Sequence, residues 1–117
     1  MSNQTPNLSM PFIMPSQAQK HVTHNEAIEV LDTVVHLALE AAAATTPAPA
    51  PTEGQAWGIG TSATGAWAGK DGQIASWRGG GWFFVVPQDD WLAWCKDASD
   101  LKVRTGGAWQ TLVAMPV

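Results

Sequence analysis

Three groupings in the chain hold residue types that could do chemistry. Asp89, Asp90, Asp97 and Asp100 could supply the two carboxylates, about 5 to 10 Å apart, that glycoside hydrolysis uses. His21 and His24, at i and i+3 beside Asn25 and Glu26, share one helical face as a pair of metal ligands would. Cys95 is the single thiol. Each has a plainer reading. Aspartate is a common turn residue, and all four lie between candidate strands. A zinc site wants a third ligand, and the HExxH order is absent. No histidine falls in residues 54–117 to activate Cys95, which reads as a buried thiol, and His36 stands alone on a polar helix face. The expectation is a protein that is not an enzyme and uses no cofactor or metal.

The seven tryptophans raise a binding chemistry instead. Trp57, Trp67, Trp77, Trp82, Trp91, Trp94 and Trp109 recur among glycines from Gly54 to Val113. Flat indole faces stack on pyranose rings while nearby polar groups take the hydroxyls, and Gln73, Gln88, Asp89 and Asp90 are at hand. A tract this poor in Leu and Ile must also build its core from tryptophan, each burying roughly 200 Å². Five of the seven are expected in a core or an interface. Trp91 and Trp94, just after Asp89-Asp90, are the candidates for a glycan, with Asp90 as their polar partner.

The elements that position these residues follow from punctuation. Ser76-Trp77-Arg78-Gly79-Gly80-Gly81-Trp82 and Val103-Arg104-Thr105-Gly106-Gly107-Ala108-Trp109 both set a glycine pair between apolar runs, which is hairpin chemistry, because tight turns between twisted strands need positive φ. Short strands are expected near 55–60, 65–68, 73–78, 81–86, 91–95, 101–104 and 108–113. Along 81–86 both faces are apolar (Trp82, Phe84, Val86 against Phe83, Val85), so that strand is either central in a sandwich or meets another molecule.

Upstream, Pro6, Pro11 and Pro15 around Leu8, Met10, Phe12, Ile13 and Met14 make an extended arm. Ser16-Gln17-Ala18-Gln19 fits a capping box, so a helix is expected to begin there and run through Glu26 to Ala44. Glu26, Glu29, Asp32, Thr33, His36 and Glu40 share its polar face, and the apolar remainder is too wide for a surface helix. A seam through Ile28, Leu31, Val35, Ala38 and Ala42 suits helix packing within the chain or between copies. Thr45-Thr46-Pro47-Ala48-Pro49-Ala50-Pro51 reads as a polyproline II spacer of roughly 3 Å per residue. The organisation expected is residues 1–46 as arm and oligomerisation helix, 47–53 as linker and 54–117 as a Trp-rich antiparallel β domain. The fold class is α+β, with a small β-meander or barrel-like domain.

At 117 residues with a net charge of -4 and six scattered cations, the chain has no cationic stripe for nucleic acid. Neither a signal peptide nor a run of about 18 apolar residues is evident, and no membrane is expected.

One resemblance spans nearly the whole chain. Met10-Pro11-Phe12, the block Gln17-Ala18-Gln19-Lys20-His21-Val22-Thr23-His24-Asn25-Glu26-Ala27, Leu31-Asp32, Pro51-Thr52-Glu53-Gly54, Thr64-Gly65-Ala66-Trp67-Ala68-Gly69, Ile74-Ala75-Ser76-Trp77 and Gly81-Trp82-Phe83-Phe84-Val85-Val86-Pro87 carry it. Together they resemble a family of prophage and gene-transfer-agent virion proteins, in which this module stands alone or at the N-terminus of spike and fibre proteins. The resemblance implies a structural part of a virion surface, assembled in the host bacterial cytoplasm, and brings no catalytic residues. It implies an adaptor or base for a head spike or tail fibre, with a capsid or tail protein and a spike or fibre protein as partners. A symmetric ring or trimer would bury the arm and helix through Phe12, Ile13, Ile28, Leu31, Val35 and Ala38. Attachment to a host polysaccharide through Trp91, Trp94 and Asp90 is the alternative.

Overall fold

Two glycine pairs fix the strand layout. Gly79 and Gly80 have φ of 62° and 78°, and Gly106 and Gly107 have 59° and 81°. Both central residues of each turn are therefore left-handed, the type I′ geometry that matches strand twist. The computed structural model describes residues 3–13 and 20–114. The first turn joins β3 (Ile74–Arg78) to β4 (Gly81–Val85), and the second joins β6 (Asp100–Thr105) to β7 (Ala108–Ala114). With β2 (Ala56–Gly58) the first hairpin makes a three-stranded antiparallel sheet in the order β2-β3-β4. The second hairpin lies beside β5 (Leu92–Cys95), and the short β1 (Ala38–Leu39) closes the other edge, giving β1-β5-β6-β7. One helix, α1 (Lys20–Val34), precedes the strands. The chain is thus an α+β protein whose two sheets do not close into a barrel.

Three expectations change. The helix stops at Val34 instead of Ala44, and the expected capping box at 16–19 lies outside the described residues. After Val35, His36 turns left-handed (φ 54°), and Leu37-Ala38-Leu39 continue extended. The β-branched run Thr33-Val34-Val35 is a poor helix interior, and Leu37 and Leu39 gain complete burial as strand residues, so tertiary packing overrides the helical spacing. Ala38 accordingly leaves the expected helical seam and pairs with Trp94, in the parallel ladder of β1 with β5.

Residues 40–44 run on along β2. Glu40 N–H donates to Ala56 O, Gly58 N–H to Ala41 O and Ala44 N–H to Gly58 O, at 2.7 to 2.9 Å. This approach requires glycine, since a Cβ on Gly58 would stand 2.5 Å from Ala42 O and one on Gly60 2.8 Å from Ala43 O. One segment thereby belongs to both sheets. The expected strand at 65–68 is a 3-10 turn, Gly65–Trp67, whose Trp67 is wholly buried.

That turn answers the question posed by the two-faced β4. Phe83 and Val85 face the core shared with the other sheet, which holds Leu37, Leu39, Ala56, Ile74, Ala93 and Cys95. On its opposite side Trp82 and Phe84 pack with Trp57, Trp67, Ile59 and Ala75. Trp82 is the hub there, edge-on to Trp57, Trp67 and Trp77 at centroid distances of 5.5, 5.2 and 5.0 Å, the arrangement that the ring quadrupole favours. Both apolar faces of β4 are thus covered within the chain. Five tryptophans pack on the two core clusters (Trp57, Trp67, Trp82, Trp91 and Trp109).

Arg78 ties the helix and arm to this β structure. Its Nη1 donates to Asp32 Oδ2 at 2.7 Å and to Glu29 Oε1 at 2.9 Å, and its Nε donates to Ser76 Oγ at 2.8 Å. Ser76 in turn donates to Gln55 O. Asp32, fully buried, also accepts the Asn7 and Leu8 amides of the arm at 3.0 and 2.6 Å. The Pro-Ala segment therefore does not hold the helix away from the strands.

Burial by itself would raise the Asp32 pKa. Hydrogen bonds from Thr5, Arg78, Leu8 and Asn7 outweigh it and hold the carboxyl below its ordinary value of 3.8. A group with a depressed folded pKa contributes stability that is complete above the unfolded value and is lost as pH falls through the folded one. Denaturant titrations across pH 2 to 7 are expected to show acid loss of stability below about pH 4, blunted in Asp32→Asn. Arg78→Met is expected to cost about 3–5 kcal/mol at pH 7, because it strands a buried carboxylate.

Candidate functional site

Alternation along β5 decides which tryptophan faces out. Ala93 and Cys95 point into the core, so Leu92 and Trp94 point away from it. Their ladder partners share that outer face: Leu101 and Ala38 flank Trp94, and Val103 is opposite Leu92. Beside this face the end of α1 and the His36 turn leave an open groove of about 670 Å³, lined by Val34, His36, Leu37, Trp91, Leu92, Ala93, Trp94 and Leu101. Its floor is rigid, because Trp94 N–H donates to Leu37 O and Lys96 N–H to Leu39 O, both at 2.9 Å.

Trp91 and Trp94 are thus brought together, as the expected glycan site requires, but Asp90 is not. Asp90 is exposed in a left-handed turn (φ 79°), and its amide donates to Arg104 O at 2.7 Å. It does not line the groove, where His36 is the one ionisable side chain among the described residues. The site can offer aromatic stacking and an imidazole.

The expected interface residues divide in three. Ile28 is buried within the chain, and Ala38 sits in β1. Phe12 and Ile13 are half-buried, with the Ile13 backbone bonded in both directions to the Asn25 amide. Leu31 and Val35 remain 49% and 41% exposed, and Leu8 of the arm is 37% exposed. Leu8 and Val35 share a second cleft with Asn7, Thr33, Glu53 and Lys96.

The four aspartates do not converge. Asp89, Asp90 and Asp97 are exposed, whereas Asp100 is buried and accepts from Thr111 Oγ1 at 2.7 Å and Lys102 Nζ at 3.0 Å. Those two bonds outweigh desolvation and hold its pKa below the ordinary value. Among the described residues no three His, Cys, Asp or Glu side chains gather as metal ligands would. The two inward-facing arginines escaped the sequence reading. Period-two alternation carries the signal for Arg78, which lies on the Ile74 and Ser76 face of β3.

Cys95 is completely buried, and burial pushes its thiol up to about 11; Lys102 opposes this shift while Asp100 and Asp97 add to it. At pH 8 roughly one thiol in a thousand is ionised at that pKa. Iodoacetamide labelling of native protein is therefore expected to proceed only through unfolding and to accelerate in Arg78→Met; rapid labelling of the folded wild type would contradict the buried assignment.

No curated protein matches the sequence. A family profile matches residues 24–110, from within α1 into β7, and so covers the groove, the first hairpin and the turn of the second. By that match the chain belongs to the family described as protein of unknown function, DUF2793.

Proposed function

We propose that this protein is a structural component of a phage or phage-like particle, an adaptor or base on which a head spike or tail fibre is mounted. The observation that carries the reading is the uncovered apolar surface of the N-terminal half. Leu31 in α1 and Val35 just past its end lie four residues apart, with Val35 N–H donating to Leu31 O, and both are exposed. Leu8 adds an exposed side chain from the arm, which Asp32 fixes against the helix through two backbone amides. A fixed apolar surface of this kind is what a subunit contact uses. The resemblance in the Gln17–Ala27 block supports the same reading, and the net charge of -4 speaks against direct contact with packaged nucleic acid. In this proposal the arm and α1 meet neighbouring copies or the capsid or tail protein, and the copies form a symmetric ring or trimer. Among the described residues no helix is long and apolar enough to cross a membrane.

Native mass measurement and immunoblotting of purified particles test this. Wild-type protein is expected to co-purify with particles and to run as a discrete oligomer. Leu31→Glu with Val35→Glu is expected to keep the wild-type circular dichroism and to run as a monomer absent from particles. Recovery of the wild type solely as a free monomer would sink the proposal.

The shared groove of Trp91 and Trp94 favours a second reading, attachment to a host surface polysaccharide. Trp91 packs against the core whereas Trp94 faces outward, so Trp94→Ala is the cleaner probe. Binding on a bacterial glycan array is expected to fall at least tenfold in Trp94→Ala with the unfolding midpoint unchanged. Equal binding by that variant would remove the groove from consideration.

A further inference from the structure

The chain has two deeply buried arginines, and they are treated in opposite ways. Arg78, 6% exposed, donates from Nη1 and Nε to two carboxylates and a hydroxyl, and only its Nη2 has no acceptor among the described residues. Arg104 is 8% exposed, and among the described residues its guanidinium has neither a salt bridge nor a hydrogen bond. Its backbone is pinned on both sides, with N–H donating to Trp91 O at 2.9 Å and C=O accepting from Asp90 at 2.7 Å. Arg104 pairs in register with Trp109 across the β6-β7 ladder, and its Cζ lies 5.5 Å from the Trp109 ring centroid. A cation over an indole recovers only part of what desolvating a charge costs. Asp89 contributes only through its field.

A second donor there is also unspent. Trp109 Nε1 is sealed from solvent and has no acceptor. The Arg104 nitrogens are not sealed in that way, so a small molecule has a route to them. On the other side, glycine at position 72 leaves the guanidinium its place, since a Cβ there would stand 3.3 Å from Arg104 Nη2.

We propose that Arg104, with the Trp109 indole beside it, is a binding site for a carboxylate, and that a sugar acid such as a uronate is the class of ligand that supplies it. Planar guanidinium donors match a carboxylate in two parallel hydrogen bonds, and the Trp109 indole beneath holds the guanidinium in place for it. The choice of sugar rests on the glycan reading above; the choice of carboxylate rests on Arg104 alone.

The test uses the whole chain labelled with ¹⁵N, reading the Arg104 Nε–H and Trp109 Nε1–H resonances. These are assigned from Arg104→Gln and Trp109→Phe, and the protein is titrated at constant ionic strength with sodium acetate, sodium glucuronate, glucose or sodium chloride. Saturable shifts of both resonances with acetate and glucuronate are expected, with glucuronate at least several-fold tighter and no saturation with glucose or chloride. Arg104→Gln is expected to abolish them. Arg104→Met is expected to unfold at or above the wild-type midpoint, since no pair is broken, and to lose the rise in midpoint that glucuronate gives the wild type. Equal affinity for acetate and glucuronate would overturn the sugar-acid class. Absence of saturation with any carboxylate would overturn the site and mean that water alone solvates Arg104. Neither result depends on Trp94, so failure here is separable from failure of the groove.

Discussion

The ion pair between Arg78 and Asp32 is the constraint on which the arrangement of the chain depends. Four stretches distant in sequence meet at it: the arm through Asn7 and Leu8, the helix through Asp32 and Glu29, the β3 strand through Arg78 and Ser76, and the approach to β2 through Gln55. Little apolar packing backs it, because Ile28 is the one large apolar side chain of α1 that is buried. Orientation of the helix is therefore specified by directional bonds, and its apolar side is left facing outward. A greasy interface would have fixed the helix equally well and would have used up Leu31 and Val35. An ionic anchor keeps them free for another surface, at the cost of depending on every member of the network staying ionised and paired.

Local chemistry was legible in the sequence wherever one residue type has one geometric role. The glycine pairs 79–80 and 106–107 announced both hairpins, and the strands around them fall within a residue or two of their expected bounds. Five tryptophans pack on the core clusters because the tract has few other large apolar residues. Reading failed where two periodicities fit the same letters. The stretch from Val34 to Ala44 is apolar enough to satisfy a helix or a buried strand, and the contacts that decide between them come from Trp94, Cys95, Ala56 and Gly58, far along the chain. Gly58 and Gly60, expected within the strand at 55–60, are the clearance for a crossing backbone.

The candidate site shows the same division. Trp91 and Trp94 both line one groove, although Trp91 packs against the core and Trp94 faces outward. Asp90, a single position away, is turned aside by a left-handed backbone that sequence spacing does not reveal. Arg104 was invisible as a site for a different reason: its significance lies in partners it does not have, and unpaired status is a property of the fold alone.

The segment shared by the two sheets also bears on how the molecule is made. Hairpins such as β3-β4 and β6-β7 close over two-residue turns and form within microseconds, whereas the parallel pairing of Ala38 with Trp94 must close a loop of about half the chain. The N-terminal half emerges first during synthesis, and α1 can meet Arg78 before β5 is made. β1 gains its sheet partner only with β5, and until Ala38 and Leu39 dock there the β5 edge stands open. A nascent chain therefore passes through a stage in which its sheet can pair with a neighbour's, and rapid docking of one short strand decides between a folded subunit and a misassembled one.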